Sequence, residues 1–170
     1  MKTLSIKKLS YISLLIGMVT VFALCTPKAI PTTAVFYDYE VQFIRTGVEG
    51  TELFKVFAYG NNENECIERA KLDAVKALLF KGVPGSGLQR PMVTEVGAEE
   101  KYRDYFNTFF REGGKYLNYV AISNDGSIDD KDRFRVGKRL KIGVIVSVQK
   151  ANLRRELEAA NIVKKLDSGF

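Results

Sequence analysis

No histidine occurs among the 170 residues. Without one the chain cannot build a serine–histidine triad, use a histidine general base or hold zinc through imidazole. Cysteine is nearly as scarce, with two residues, Cys25 and Cys66, and Cys25 closes an N-terminal apolar run. A mature chain keeping only Cys66 makes no internal disulfide, so its stability must come from a packed core. Cys66 stands beside Ile67 at the start of a predicted helix, with no imidazole to activate it, and reads as a small buried hydrophobe. Internal repeats and low-complexity tracts are missing too. Strong charge is only superficial: 26 basic residues face 20 acidic ones, for a net charge of +6. Three of the lysines lie in the first 25 residues and no acid does, which leaves the remainder near about +3. That balance argues against a dedicated nucleic-acid binder, which would gather its charge on one face.

What the chain does have begins at its start. Lys2, Lys7 and Lys8 precede an apolar run from Leu9 to Leu24, followed by a polar stretch containing Pro27 and Pro31. Charge, grease and then small residues form the order of an export signal. The run is shorter than the ~20 residues of a spanning helix and is diluted by Ser10, Ser13 and Thr20, so cleavage is expected after Cys25 or after Ala34. Lipidation of Cys25 is the second outcome, weakened by Leu24, which is not the small residue that a lipobox wants at that place. Retention as an N-terminal anchor is the third. The expected organisation is a signal peptide over 1–25, a tether over 26–34 and a single α+β domain over 35–170, exported to the periplasm or the outer membrane.

Within the domain, Tyr37, Tyr39, Val41 and Phe43 alternate with polar residues, and Phe54, Val56 and Ala58 do so again after a Gly47–Gly50 turn, which predicts an antiparallel hairpin. Asn62 can cap a helix running to Phe80, on which Ala70, Ala74 and Ala77 form a close-packing stripe. A second helix over 98–111 carries Tyr102, Tyr105, Phe106, Phe109 and Phe110 on one face, a pattern expected of core and open to use as a docking face. Tyr116–Ile122 reads as a third strand, and 133–148 as a long fourth strand or a pair broken at Gly137-Lys138. The chain closes with a helix capped by Asn152, with Leu153, Leu157 and Ala160 inward. The order β-β-α-α-β-β-α predicts an antiparallel or mixed sheet of about four strands with helices mainly on one face.

Candidate chemistry is sparse. Gly82 and Gly87 have the separation of a phosphate loop, but Leu88 and Gln89 stand where Lys and Ser or Thr are needed. The 82–97 stretch therefore reads as a flexible connector or a mobile partner-contacting loop. The aspartates of the 124–132 loop lack the alternate-residue spacing of a calcium loop and read as turn formers. No metal site, catalytic residue or cofactor is assigned. Glu95, Glu99, Glu100 and Asp104 are the only concentrated carboxylates that could support a hydrolase. The best-organised charge is Arg133, Arg135, Arg139 and Lys141, which share one parity opposite Phe134, Val136, Leu140 and Ile142. On one strand they would form a cationic ladder, a solvated sheet face or a contact for an anionic partner.

The segment KVFAYGNNENECIERAKLDAVKALL, a strand ending in glycine and followed by an alanine-striped helix, resembles the N-terminal domain of flagellar assembly protein T and related small outer-membrane lipoproteins. The late apolar strand and the Leu153/Leu157 helix add to the likeness, which covers roughly residues 53–80 and 140–160. The resemblance implies a small α+β envelope domain that assembles with other proteins. Together these features predict a non-catalytic exported envelope module that binds a protein or an anionic cell-wall component, with no nucleic-acid partner. A membrane attachment is expected only through a lipidated Cys25 or a retained leader. A carboxylate-dependent hydrolase of the envelope is the alternative.

Overall fold

A computed structural model describes residues 40–123 and 127–165. The leader, the tether, Cys25, Tyr37, Tyr39 and residues 124–126 lie outside the described residues. Strand β1 (Glu40–Thr46) and strand β2 (Thr51–Gly60) form the expected hairpin, with Val41 opposite Val56 and Phe43 opposite Phe54. The register slips by one residue between Phe43 and Arg45, leaving Ile44 as the extra residue of a bulge. Alternation along β2 buries Glu52, Phe54, Val56 and Ala58 on one face and leaves Leu53, Lys55 and Phe57 half-buried on the other.

Helix α1 (Glu63–Lys76) starts where Asn62 accepts a hydrogen bond from the Glu65 amide at 2.9 Å, while the Glu65 carboxylate accepts from the Asn61 amide at 2.7 Å. These bonds satisfy amides that the first turn leaves open. Ala70, Ala74 and Ala77 are fully buried, as the stripe predicts. Past Lys76 the helix widens into a π turn over Ala77–Lys81, where the Gly82 amide donates to Ala77 at 2.8 Å. Gly82 has φ +78°, and a side chain there would meet the Gln89 carbonyl.

The following stretch is not a flexible connector. Met92 and Val93 return to donate to the Leu78 and Leu79 carbonyls, both at 3.0 Å. Inside that closure Val83 donates to Leu88, and the Ser86 hydroxyl bridges the Val83 carbonyl and the Leu88 amide. Val83, Ser86, Met92 and Val93 are buried, so 82–93 is a closed, packed loop with its own hydrogen bonds.

The predicted 98–111 helix is two pieces, α2 (Ala98–Lys101) and α3 (Arg103–Phe109), separated at Tyr102 with φ −109° and ψ 31°. Its aromatic face is core: Phe106 and Phe109 are buried, and Phe106 meets Phe80 edge-on at 5.1 Å. The expected third strand is mostly a 3-10 turn over Lys115–Tyr119, and only β3 (Val120–Ile122) is extended. Strands β4 (Arg133–Val136) and β5 (Arg139–Gln149) are separate. The resulting antiparallel sheet runs β1-β2-β5-β3, with β4 also pairing β5, which makes five strands. Helix α4 (Lys150–Ala159) follows β5 directly. Asn152 lies inside it and donates to Gln149, so it does not act as the cap. Leu153 and Leu157 are fully buried, and the open antiparallel sheet with its helices is an α+β fold.

Candidate functional site

The four cations of the supposed ladder do not share a face. Gly137, at φ +61°, turns the chain so that Val136 pairs with Arg139 and Phe134 with Lys141. Directly paired residues point to the same side of a sheet, so a two-residue turn inverts parity between its strands. Arg133 and Arg135 therefore side with Ile142 and Leu140, and Arg133 reaches Glu63 at the start of α1 at 2.8 Å. Arg139 and Lys141 emerge on the opposite face. There Lys141 pairs with Glu40 and lies over the Phe57 and Tyr59 rings at 5.1 and 5.6 Å, while Arg139 donates to the Tyr59 carbonyl at 3.2 Å. Around them Tyr59, Phe134 and Val136 are 42%, 46% and 50% exposed, an apolar rim on a cationic centre.

Of the other candidates, Glu95, Glu100, Asp129 and Asp132 are tied up in ion pairs, while Asp104 lines a separate open hollow beside Glu100. Lys101 holds Glu95 at 2.6 Å and Arg103 holds Glu100. Burial pushes the Glu99 carboxyl upward. In the aspartate loop, Lys131 holds Asp129, and Lys55 reaches Asp132 at 2.6 Å. Gly143 permits that crossing, because a side chain there would collide with Phe57 and Asp132. Cys66 is buried, its thiol pushed up by desolvation and then by neighbouring Glu65, which makes it a poor nucleophile.

Two carboxylates escaped the sequence reading. Glu52 is wholly buried at the start of β2; Oε1 is 2.5 Å from Lys150 Nζ, and Oε2 meets no donor among the described residues. Gly87 lies directly against this pair, since a side chain there would sit 2.7 Å from Nζ and 2.9 Å from Oε1. Parity marks Glu52 as inward from the sequence alone. Glu156 accepts from Lys115 at 2.6 Å, Tyr119 at 3.0 Å and Tyr105 at 3.3 Å, joining α4 to α3 and the 3-10 turn. Chiefly the Lys115 hydrogen bond holds its carboxyl below the ordinary range. Burial, followed by the Glu156 hydrogen bond, pushes the Tyr119 phenol up to about 12. No periodic signal in the sequence brings those four side chains together.

Beside Gly87 the closed loop and the end of α4 enclose a cleft of about 790 Å³. Its lining includes Arg90, Arg154 and Lys164, half-buried Leu88 and Val163, and buried Met92 and Ile162; Glu95, already bound to Lys101, is its one carboxylate. Arg154 is held by Glu158 at 2.8 Å and by the Lys164 carbonyl at 3.2 Å. Among the described residues no group of three or more acidic or thiol side chains is placed to hold a metal ion, and no helix is long and apolar enough to cross a membrane. Comparison with protein-family models, with curated proteins and with solved structures finds no match to this chain.

Proposed function

We propose that the chain is a non-catalytic module of the cell envelope that binds, or assembles with, a protein or an anionic cell-wall component. The observation that carries this reading is the sheet face holding Arg139 and Lys141. Exposed Tyr59, Phe134 and Val136 surround Arg139 and Lys141 there, and exposed aromatic side chains beside an arginine are residue types enriched in contact surfaces. The leader pattern supports export, and the resemblance to the N-terminal domain of flagellar assembly protein T supports an assembly role. Hydrolysis by paired carboxylates draws less support, because the larger cleft has only Glu95, already bound to Lys101, and in the hollow lined by Glu100 and Asp104 the first is already bound to Arg103.

The face assignment makes the test specific. Arg139→Glu with Lys141→Glu is expected to weaken recovery of envelope partners from detergent-solubilised envelopes, and moderate salt to weaken it further. Arg133→Glu with Arg135→Glu, on the opposite face, is expected to leave recovery intact. Thermal melts of both variants check that the fold survives. Equal recovery by wild type and both variants at every ionic strength would remove the sheet face as the contact. Mass spectrometry of the native N-terminus examines the processing: an unlipidated start near Thr26 or Val35 supports cleavage to a free product, and an intact leader or a diacylglyceryl-modified Cys25 would overturn that choice.

A further inference from the structure

The cleft between the 86–95 segment and the end of α4 is separate from that sheet face, and nothing so far assigns it a role. Its volume, about 790 Å³, lies within the ~300–1,000 Å³ of small-molecule sites and far exceeds what a bare inorganic anion needs. Three cations line it; Lys101 neutralises its single carboxylate and Glu158 pairs with one of the cations, Arg154, which leaves Arg90 and Lys164 to set the sign. Among the described residues, neither the exposed Arg90 nor the exposed Lys164 pairs with a carboxylate. Arg154 is already fixed by Glu158 and the Lys164 carbonyl, so its remaining N–H donors are oriented before a ligand arrives. A guanidinium held in this way binds a carboxylate with little further loss of freedom.

Half-buried Leu88 and Val163 line the cleft together with the cations, and a ligand that answered only the charge would leave both in water. The loop is also braced, by the Met92 and Val93 amides on the π turn and by the Ser86 hydroxyl within. Gly87 sits against the Glu52–Lys150 pair, where a side chain would have to push Lys150 Nζ aside. Such bracing gives the cleft a fixed wall.

We propose that this cleft binds a short acidic peptide, its carboxylates on Arg90, Arg154 and Lys164 and its apolar side chain on Leu88 and Val163. The charge sets the sign of the ligand, the apolar lining asks for a body between its charges, and the volume suits a few residues. Recognition is carried by side chains of the loop, by Arg154 on α4 and by the chain after that helix, independently of Arg139 and Lys141.

The test titrates the isotope-labelled full chain, in a zwitterionic detergent, with the blocked tripeptide Glu-Leu-Glu. Saturable shifts of the amides of 86–95 and 162–164, with a Kd of about 1 mM or tighter, are expected. Arg90→Glu with Lys164→Glu is expected to weaken binding by about tenfold or more, since two exposed charge contacts become repulsive. Arg139→Glu with Lys141→Glu is expected to change nothing here, which separates failure of this proposal from failure of the sheet-face reading. The neutral counterpart Gln-Leu-Gln is expected not to bind. Absence of saturable shifts, equal binding of the neutral peptide or indifference to the Arg90/Lys164 reversal would overturn the proposal. Inorganic phosphate matching the peptide would reduce the cleft to a bare anion site and overturn it as well. So would phosphatidylglycerol that shifts the same amides and displaces the peptide, by assigning the cleft to lipid.

Discussion

Glu52 shares parity with Phe54, Val56 and Ala58, and the alternation that predicts those three as core applies equally to it. Its burial is a local consequence of the strand; its partner is not, because Lys150 lies 98 positions further along the chain. A buried carboxylate with its counter-charge removed bears its desolvation cost alone, so Lys150→Met is expected to lower unfolding stability by about 3 kcal/mol. Replacing both, Glu52→Leu with Lys150→Met, is expected to recover most of that loss, because two well-packed apolar groups need no partner. Urea unfolding of the two variants checks this, and a single variant as stable as wild type would mean that water solvates Glu52. Gly87 belongs to the same argument: a side chain there would displace Nζ, the mobile end of Lys150, from Glu52.

Among elements, the alanine stripe of α1 was legible because helical periodicity and residue size together specify which face meets the sheet. Ala74 is fully buried, and Ala74→Leu is expected to overpack that contact and cost about 1–3 kcal/mol in thermal or urea melts. An unchanged midpoint would mean that α1 can lift off the sheet at no cost. The break at Tyr102 and the 3-10 turn over Lys115–Tyr119 were not legible. Both segments keep the apolar spacing of a continuous element, and tertiary packing of the aromatic cluster decides their backbone. The closed loop was hidden for a similar reason: glycines and a proline read as freedom, while the bonds that close it come from the distant carbonyls of Leu78 and Leu79.

The Glu156 latch yields a pH dependence at the same scale. The Tyr119 phenol is pushed up to about 12 by burial and then by Glu156, and Tyr105 is pushed up by the same causes. An unfolded tyrosine ionises near about pH 10, so between that value and its folded one the native state holds a proton that the unfolded state has lost. The contribution is complete below about pH 10 and declines as pH rises toward the folded value. Urea melts of wild type and Tyr119→Phe across this range are expected to show the steeper decline in wild type. Parallel declines would mean that the phenol faces water instead of Glu156.

For the molecule as a whole, binary pattern was enough to predict the class, since period-two and helical stretches alternate and each needs a face to cover. Pattern offered one long strand or a pair over 133–148 without choosing between them, and so could not predict the division of the four cations, because a two-residue turn at Gly137-Lys138 preserves alternation while inverting which side each parity faces. Nor could it show the cleft, whose walls are joined only by the fold. The same topology orders the stability of the parts. Strand β2 is paired on both sides, with β1 along one and β5 along its full length on the other, while β3 and β4 occupy only the two ends of the far edge of β5. Central strands open when the domain unfolds globally, and edge elements open locally at lower cost. Native-state hydrogen exchange is therefore expected to find the amides within Phe54–Ala58 and Val144–Val148 among the slowest, together with those of α1 over the buried alanines. The β4 hairpin, with all four residues of β4 exposed, and β1 around the bulge at Ile44 are expected to exchange first. If β4 exchanged as slowly as β2, the hairpin would be part of the cooperative core, and the exposed face it offers to a partner would have to be covered in the free protein. If α1 exchanged well before β2, the helix layer and the sheet would unfold separately, and the single core joining them would be ruled out.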